Sequence, residues 1–274
     1  MRRFGFIAKT VQFPFTVSIL CIIFISTSSF KTFTTGKRSG DEIKVVVIDA
    51  GHGGFDPGCH YGGVQEKNIT LAIALKLGKI IKKNCKDVKV IYTRDSDYFV
   101  ELKERTNIAN RNKANVFISI HCNANPKTAI YGTETYTMGL YKSDGNLALA
   151  KRENDVVLLE DDYKKNYDGF DPNSPEANII FSLYQNAYVT QSLQLASIIE
   201  NEVKAMPGRE ERGVKQAGFL VLWKTTMPSV LVETGFLSND KERKFLNSSQ
   251  GQTELATGIF DAFKKYKDEF ESAN

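Results

Sequence analysis

The sequence predicts one α/β domain, a mostly parallel central sheet with helices on both faces. Two observations lead there. Short β-branched runs alternate with stretches of helical apolar spacing, the β-α-β-α-β pattern of a parallel sheet. Three of those runs also end on a residue able to bind metal or move a proton: the run from Lys44 leads to His52, that from Asn115 to His121, and that from Ser229 to Glu233. In open α/β sheets, ligands sit beyond the carboxyl ends of the strands. The chain has only three histidines, and two of them are delivered to that edge.

Residues 1–40 stand apart. Arg2, Arg3 and Lys9 form a cationic start, and residues 13–25 an apolar run shorter than the ~20 residues of a bilayer span. Small residues from Ser26 to Ser29 follow. This order reads as a secretory signal peptide with a short linker, an uncleaved anchor being the alternative. The expected location is the periplasm or cell envelope. Six of the 36 basic residues and none of the 32 acidic ones fall in this leader, leaving 30 basic against 32 acidic. The remainder is therefore slightly acidic, and nothing in it favours a nucleic-acid-binding surface, which would need a basic patch. Cys59, Cys85 and Cys122 remain after the leader, an odd number without framework spacing, so the fold rests on its core.

From residue 41 onward the elements follow in order. Residues 45–49 read as a strand buried on both faces. Residues 68–83 have helical apolar spacing, 88–93 form the next strand, and 100–111 a helix with Leu102, Thr106, Ile108 and Ala109 turned inward. Residues 116–120 are the third strand and 132–137 a fourth with edge-like alternation. Periodicity then weakens over an insertion at about 139–186. Residues 187–206 restore an amphipathic helix, 219–222 and 230–232 read as strands, and 254–270 as a closing helix.

The chemistry-bearing residues lie between these elements. His52 occupies the loop from Gly51 to Gly58, too glycine-rich to be core. Neither a full G-x-G-x-x-G nor a P-loop lysine accompanies it, so a nucleotide site is disfavoured. Glu66 stands at a helix start, where a carboxylate also suits the helix dipole. His60 is a weaker candidate in a polar loop. Strand alternation separates His121 from Cys122, which reads as a buried structural thiol. Glu233 closes an apolar strand, where an unpaired charge is costly unless it has a role at a metal-activated water. Two imidazoles and two carboxylates fit catalytic zinc, which takes three N/O ligands and keeps a position for water. No G-x-S-x-G elbow supports a serine hydrolase.

Several motifs now point one way. Residues 47–58 around His52, Glu66-Lys67, Thr93-Arg94, Arg105 to Asn110, residues 118–124 around His121, Gly213 to Ala217 and residues 230–239 around Glu233 resemble the zinc-dependent N-acetylmuramoyl-L-alanine amidases of the family-3 type. The resemblance runs from about Lys44 to the C-terminus. It implies one zinc ion held by His52, Glu66 and His121, with Glu233 as the catalytic glutamate. The implied substrate is peptidoglycan, cut between N-acetylmuramic acid and L-alanine. Another envelope zinc hydrolase, or an inactive peptidoglycan-binding module, are the alternatives. Some members of the family have an extra segment, at the position of the 139–186 insertion, that covers the zinc until an activator protein displaces it. Here that segment offers Glu153 and the cluster Glu160, Asp161 and Asp162 as regulatory carboxylates, in a helix expected near 144–168. A surface excursion lining the substrate groove is the competing reading.

Overall fold

The computed structural model describes residues 42–171, 174 and 187–273. The leader at 1–40 and most of the last part of the insertion lie outside them. Six strands form the main sheet in the order β4-β1-β5-β8-β6-β7. These are β1 (Val45–Ala50), β4 (Lys89–Tyr92), β5 (Val116–Asn123), β6 (Thr133–Met138), β7 (Glu211–Ala217) and β8 (Ser229–Phe236). A two-residue hairpin, β2 (His60–Tyr61) with β3 (Val64–Gln65), lies beside it. Within the main sheet all neighbours are parallel except β6 and β8.

The strands alternate cleanly. Val46, Ile48, Ile118, Ile120, Val230 and Val232 face one core together with α1 (Glu66–Asn84), α5 (Val189–Lys204) and α7 (Ser249–Ala273). Val47, Phe117 and Leu231 face the other, under α2 (Leu102–Arg111) and α3 (Asp144–Asn154). Side chains alternate with period two. Asp49, Ser119, His121 and Glu233 therefore project on the same face as Val47, Phe117 and Leu231, beneath the insertion. Cys122 is fully buried on the opposite face, in the core with α1.

Some expectations need correcting. The strand expected at 219–222 is a buried 3₁₀ turn, Leu220–Leu222. Its backbone polar groups are taken by side chains instead of by a neighbouring strand. Thr106 donates to Val221 O, and Asn154 both donates to Gly218 O and accepts from Leu220 N. Buried backbone groups need partners, and these satisfy them without a ladder. Strand β6 is interior, not an edge, because β7 adds beyond it; the charged and half-exposed sequence of β7 gave no strand period. On α2, Arg105 is buried and Ile108 is only partly so, because the arginine is drawn toward the carboxylate of Asp49. The insertion forms α3, a 3₁₀ segment (Asp155–Leu159) and the short α4 (Tyr163–Asn166) in place of one continuous helix. A helix not anticipated, α6 (Asp240–Leu246), follows β8.

Candidate metal centre

The loop after β1 is held from below by two buried arginines. Asp49, at the end of β1, accepts from Thr93 Oγ1, Ser119 Oγ and Arg105 Nη1 at 2.6, 2.6 and 2.8 Å. Arg105 also donates to the carbonyls of Ala50 and His52. Arg94 donates to those of Ala50, Gly51 and Lys67. Three strand and loop carbonyls and one in the first turn of α1 are thereby fixed, and His52 is kept in the left-handed region at φ 61°. A non-glycine residue there is uncommon and marks a constrained position.

Each side chain reaching the centre is oriented by its neighbours. The Nδ1 of His52 pairs with Asp56 Oδ2 at 2.8 Å, which turns Nε2 inward. Glu66 is the first residue of α1; its Oε1 accepts from Cys122 N and its Oε2 from Cys59 N. His121 lies within β5, in register with Glu233 of β8. A Cβ on Gly51 would stand 2.5 Å from the His121 ring, so only glycine lets the ring lie there.

His52 Nε2, His121 Nδ1, Glu66 Oε1 and Glu153 Oε2 converge. Glu66 Oε1 lies 3.1 Å from His52 Nε2 and 3.2 Å from His121 Nδ1. Glu153 Oε2 lies 3.2 Å from each of the same nitrogens. All four ligand atoms fall within 4.8 Å of one another, and all four residues are buried. Among the described residues, His52 Nε2, His121 Nδ1 and Glu153 Oε2 find no partner in hydrogen-bonding geometry. They are close yet not aligned with one another, as lone pairs aimed at a common centre would be. Ligands about 2.0–2.1 Å from a tetrahedral centre are separated by about 3.3 Å, so the group fits a zinc-sized cation. Cysteine takes no part: the Cys59 thiol points to Cys122 O, and Cys122 contacts Thr234.

The electrostatics agree. Burial opposes charge on His52, but Glu66, Asp56 and Glu153 outweigh it and push the imidazole well above its usual range. Burial likewise opposes charge on His121, and Glu153 and Glu66 raise it to about 9. The carboxylates are so arranged that they draw positive charge into the centre. Glu233 behaves oppositely. It is fully buried, and neither carboxyl oxygen has a partner among the described residues. Burial first, then Glu153, drives its pKa well up.

The other candidates lie elsewhere. His60 is exposed on the small hairpin. Glu160 accepts from Leu102 N at the start of α2 and from Tyr167 Oη, while Asp161 and Asp162 are exposed. None of these three joins the four converging residues. Sequence reasoning gave no role to Asp56, Asp49, Arg94 or Arg105. For Asp56 a signal existed, a carboxylate four residues beyond a histidine across a glycine turn.

A mostly parallel sheet with two imidazoles and two carboxylates gathered beside its strands is an α/β fold carrying a group that fits a metal ion. A family profile described as N-acetylmuramoyl-L-alanine amidase matches residues 46–265, and the chain belongs to that family. It is 32% identical over 247 residues to N-acetylmuramoyl-L-alanine amidase AmiA of Escherichia coli, covering 88% of this chain and 82% of that one. Among solved structures it resembles the catalytic domain of CwlV, an N-acetylmuramoyl-L-alanine amidase from Bacillus (Paenibacillus) polymyxa var. colistinus, at TM-score 0.59 and 34% identity. That likeness covers 82% of this chain and 98% of that one. An N-acetylmuramoyl-L-alanine amidase from Clostridium difficile 630 resembles it at TM-score 0.62 and 27% identity, over 83% and 98%.

Proposed function

We infer that this chain is a zinc-dependent amidase acting on peptidoglycan, hydrolysing the amide between the lactyl group of N-acetylmuramic acid and L-alanine. The observation that carries this reading is the convergence of His52, Glu66 and His121 beside the buried, unpartnered Glu233. Those three residues are the ligands; zinc held there supplies Lewis-acid activation of water and of the amide carbonyl. The remaining work falls to the protein. Asp56 fixes the tautomer and direction of His52, as outer partners of metal ligands do. The Cys59 and Cys122 amides hold Glu66 in place. Glu233 accepts the proton of the attacking water and returns it to the L-alanine nitrogen as the C–N bond breaks.

We also infer that Glu153 is the regulatory group. Its carboxylate occupies the corner of the cluster that water would need, and Arg152 Nε steadies its other oxygen at 3.0 Å. An activator that drew α3 away would open the centre. Export is the reading of the leader and places the enzyme with its substrate in the periplasm or cell envelope. The deciding experiment is mass spectrometry of purified peptidoglycan digested with and without chelator. The expected products are intact stem peptides with a free L-alanine amine and glycan whose muramic lactyl carboxylates are unsubstituted, formed only without chelator. Shortened peptides or deacetylated sugars would instead identify another envelope hydrolase.

A further inference from the structure

Phe55 is 64% exposed, the most exposed of the large apolar side chains among the described residues. It stacks on Phe99 with ring centroids 4.3 Å apart and planes 28° apart, and Tyr98 beside it is 42% exposed. A lone exposed phenylalanine is ordinary, but this one is stacked on a second ring and held rigidly.

The presentation is rigid. Gly53 and Gly54 have φ of 126° and 60°; a Cβ on the first would lie 2.4 Å from Tyr98 O, and on the second 2.6 Å from Phe99 N. Asp97 Oδ1 accepts from Gly54 N, and Lys67 Nζ bridges Gly54 O and Asp97 Oδ2 at 2.7 and 2.8 Å. The loop carrying His52 and the loop carrying Phe99 are thus clamped together. Phe55 rides on a turn closed by reciprocal backbone bonds between Gly53 and Asp56. The base of that turn is the His52–Asp56 pair itself. Three residues of chain span at most about 11 Å, so the Phe55 backbone lies within that distance of the His52 backbone.

We propose that Phe55, backed by Phe99, is a stacking platform for a sugar ring of the glycan strand, next to the muramic acid whose amide is cut. This rests on the amidase reading above. The chemistry fits a sugar better than another apolar surface. The patch is a stacked pair of rings, and Lys67 and Asp97, which hold the neighbouring Gly54, carry polar atoms that can bond ring hydroxyls while the C–H face of the sugar covers the aromatic. The residue acts on binding, not on the bond being broken.

The test compares wild type with Phe55→Ala, Phe55→Trp and Phe55→Leu as zinc-loaded full chains. Substrates are glycan strands of several disaccharides bearing stem peptides, and a single N-acetylmuramoyl-peptide. Binding of strands stripped of stem peptides is measured separately by calorimetry. Phe55→Ala should raise KM on the long strands about three- to tenfold at unchanged kcat, and weaken stripped-strand binding by the same factor. It should leave the single-sugar substrate within about twofold. Phe55→Trp should restore both and Phe55→Leu neither. Equal losses on both substrates, a leucine variant as good as wild type, or stripped strands that fail to bind wild type would overturn the proposal. If wild type cuts neither substrate, the amidase reading fails while the binding arm still decides the platform.

Discussion

Glu153 Oε2 stands 3.2 Å from His52 Nε2, so a side chain from the insertion meets the loop after β1 at one point. The carboxylate is buried with its nearest cation, Arg152, on the same helix. Removing it should vacate one corner of the centre. Glu153→Ala is expected to raise basal release of soluble fragments from labelled peptidoglycan severalfold, with zinc content unchanged. Because a buried partner is lost, circular dichroism must first show that the variant folds. An unchanged or lower rate in folded protein would leave α3 as scaffold.

Glu233 and His121 should separate cleanly although they face each other in register. Glu233→Gln is expected to retain zinc and lose about 10²–10⁴ in kcat, the usual cost of a missing general base. His121→Ala should lose metal and activity together. Measuring zinc by plasma emission beside the rate decides it; comparable zinc loss in both variants would make Glu233 a ligand.

Asp56 should matter through His52. Its 2.8 Å contact to Nδ1 sets which ring nitrogen faces the centre. Asp56→Asn is expected to weaken zinc about 10–100-fold in competition with a chelating dye, with little change in melting temperature of the metal-free protein. Unchanged zinc affinity would reduce Asp56 to a turn residue.

Away from the centre, Glu200 on α5 predicts a pH effect. Burial, against a hydrogen bond from Thr135, raises its carboxyl to about 8. The unfolded chain releases this proton near 4.3, so between roughly pH 4 and 8 the folded state holds the extra proton. Stability from this group is therefore complete below about pH 4 and falls as pH rises to about 8, then levels off. Glu200→Gln should melt with wild type at pH 4.5 and several degrees higher at pH 8.5. Parallel melting curves across that range would show that Glu200 is ionised in the fold.

Much of this was legible in the chain because it is local. β-branched runs gave the parallel strands, and glycines around His52 marked a loop built for close approach. His121 and Glu233 could be placed at one sheet edge because each follows an apolar strand run. What escaped depends on contacts between distant segments. Arg105 lies on a helix whose apolar period points elsewhere, and only the docking of α2 against Asp49 explains its burial. Strand β7 has no apolar period because it carries Arg212 and Lys215, both of which bond Glu134 of β6. Glu153 and Glu160 looked alike as members of a charged stretch. Their fates differ because α3 ends over the metal centre while the following turn tucks Glu160 against α2.

Zinc K-edge X-ray absorption of the purified full chain tests the central claim most directly. One zinc per chain is expected, with nitrogen and oxygen neighbours at about 2.0–2.2 Å, imidazole scattering from two rings, and no sulfur. His52→Ala should abolish that signal. A sulfur shell near 2.3 Å, or zinc retained at full stoichiometry without His52, would contradict a centre built from His52, Glu66 and His121.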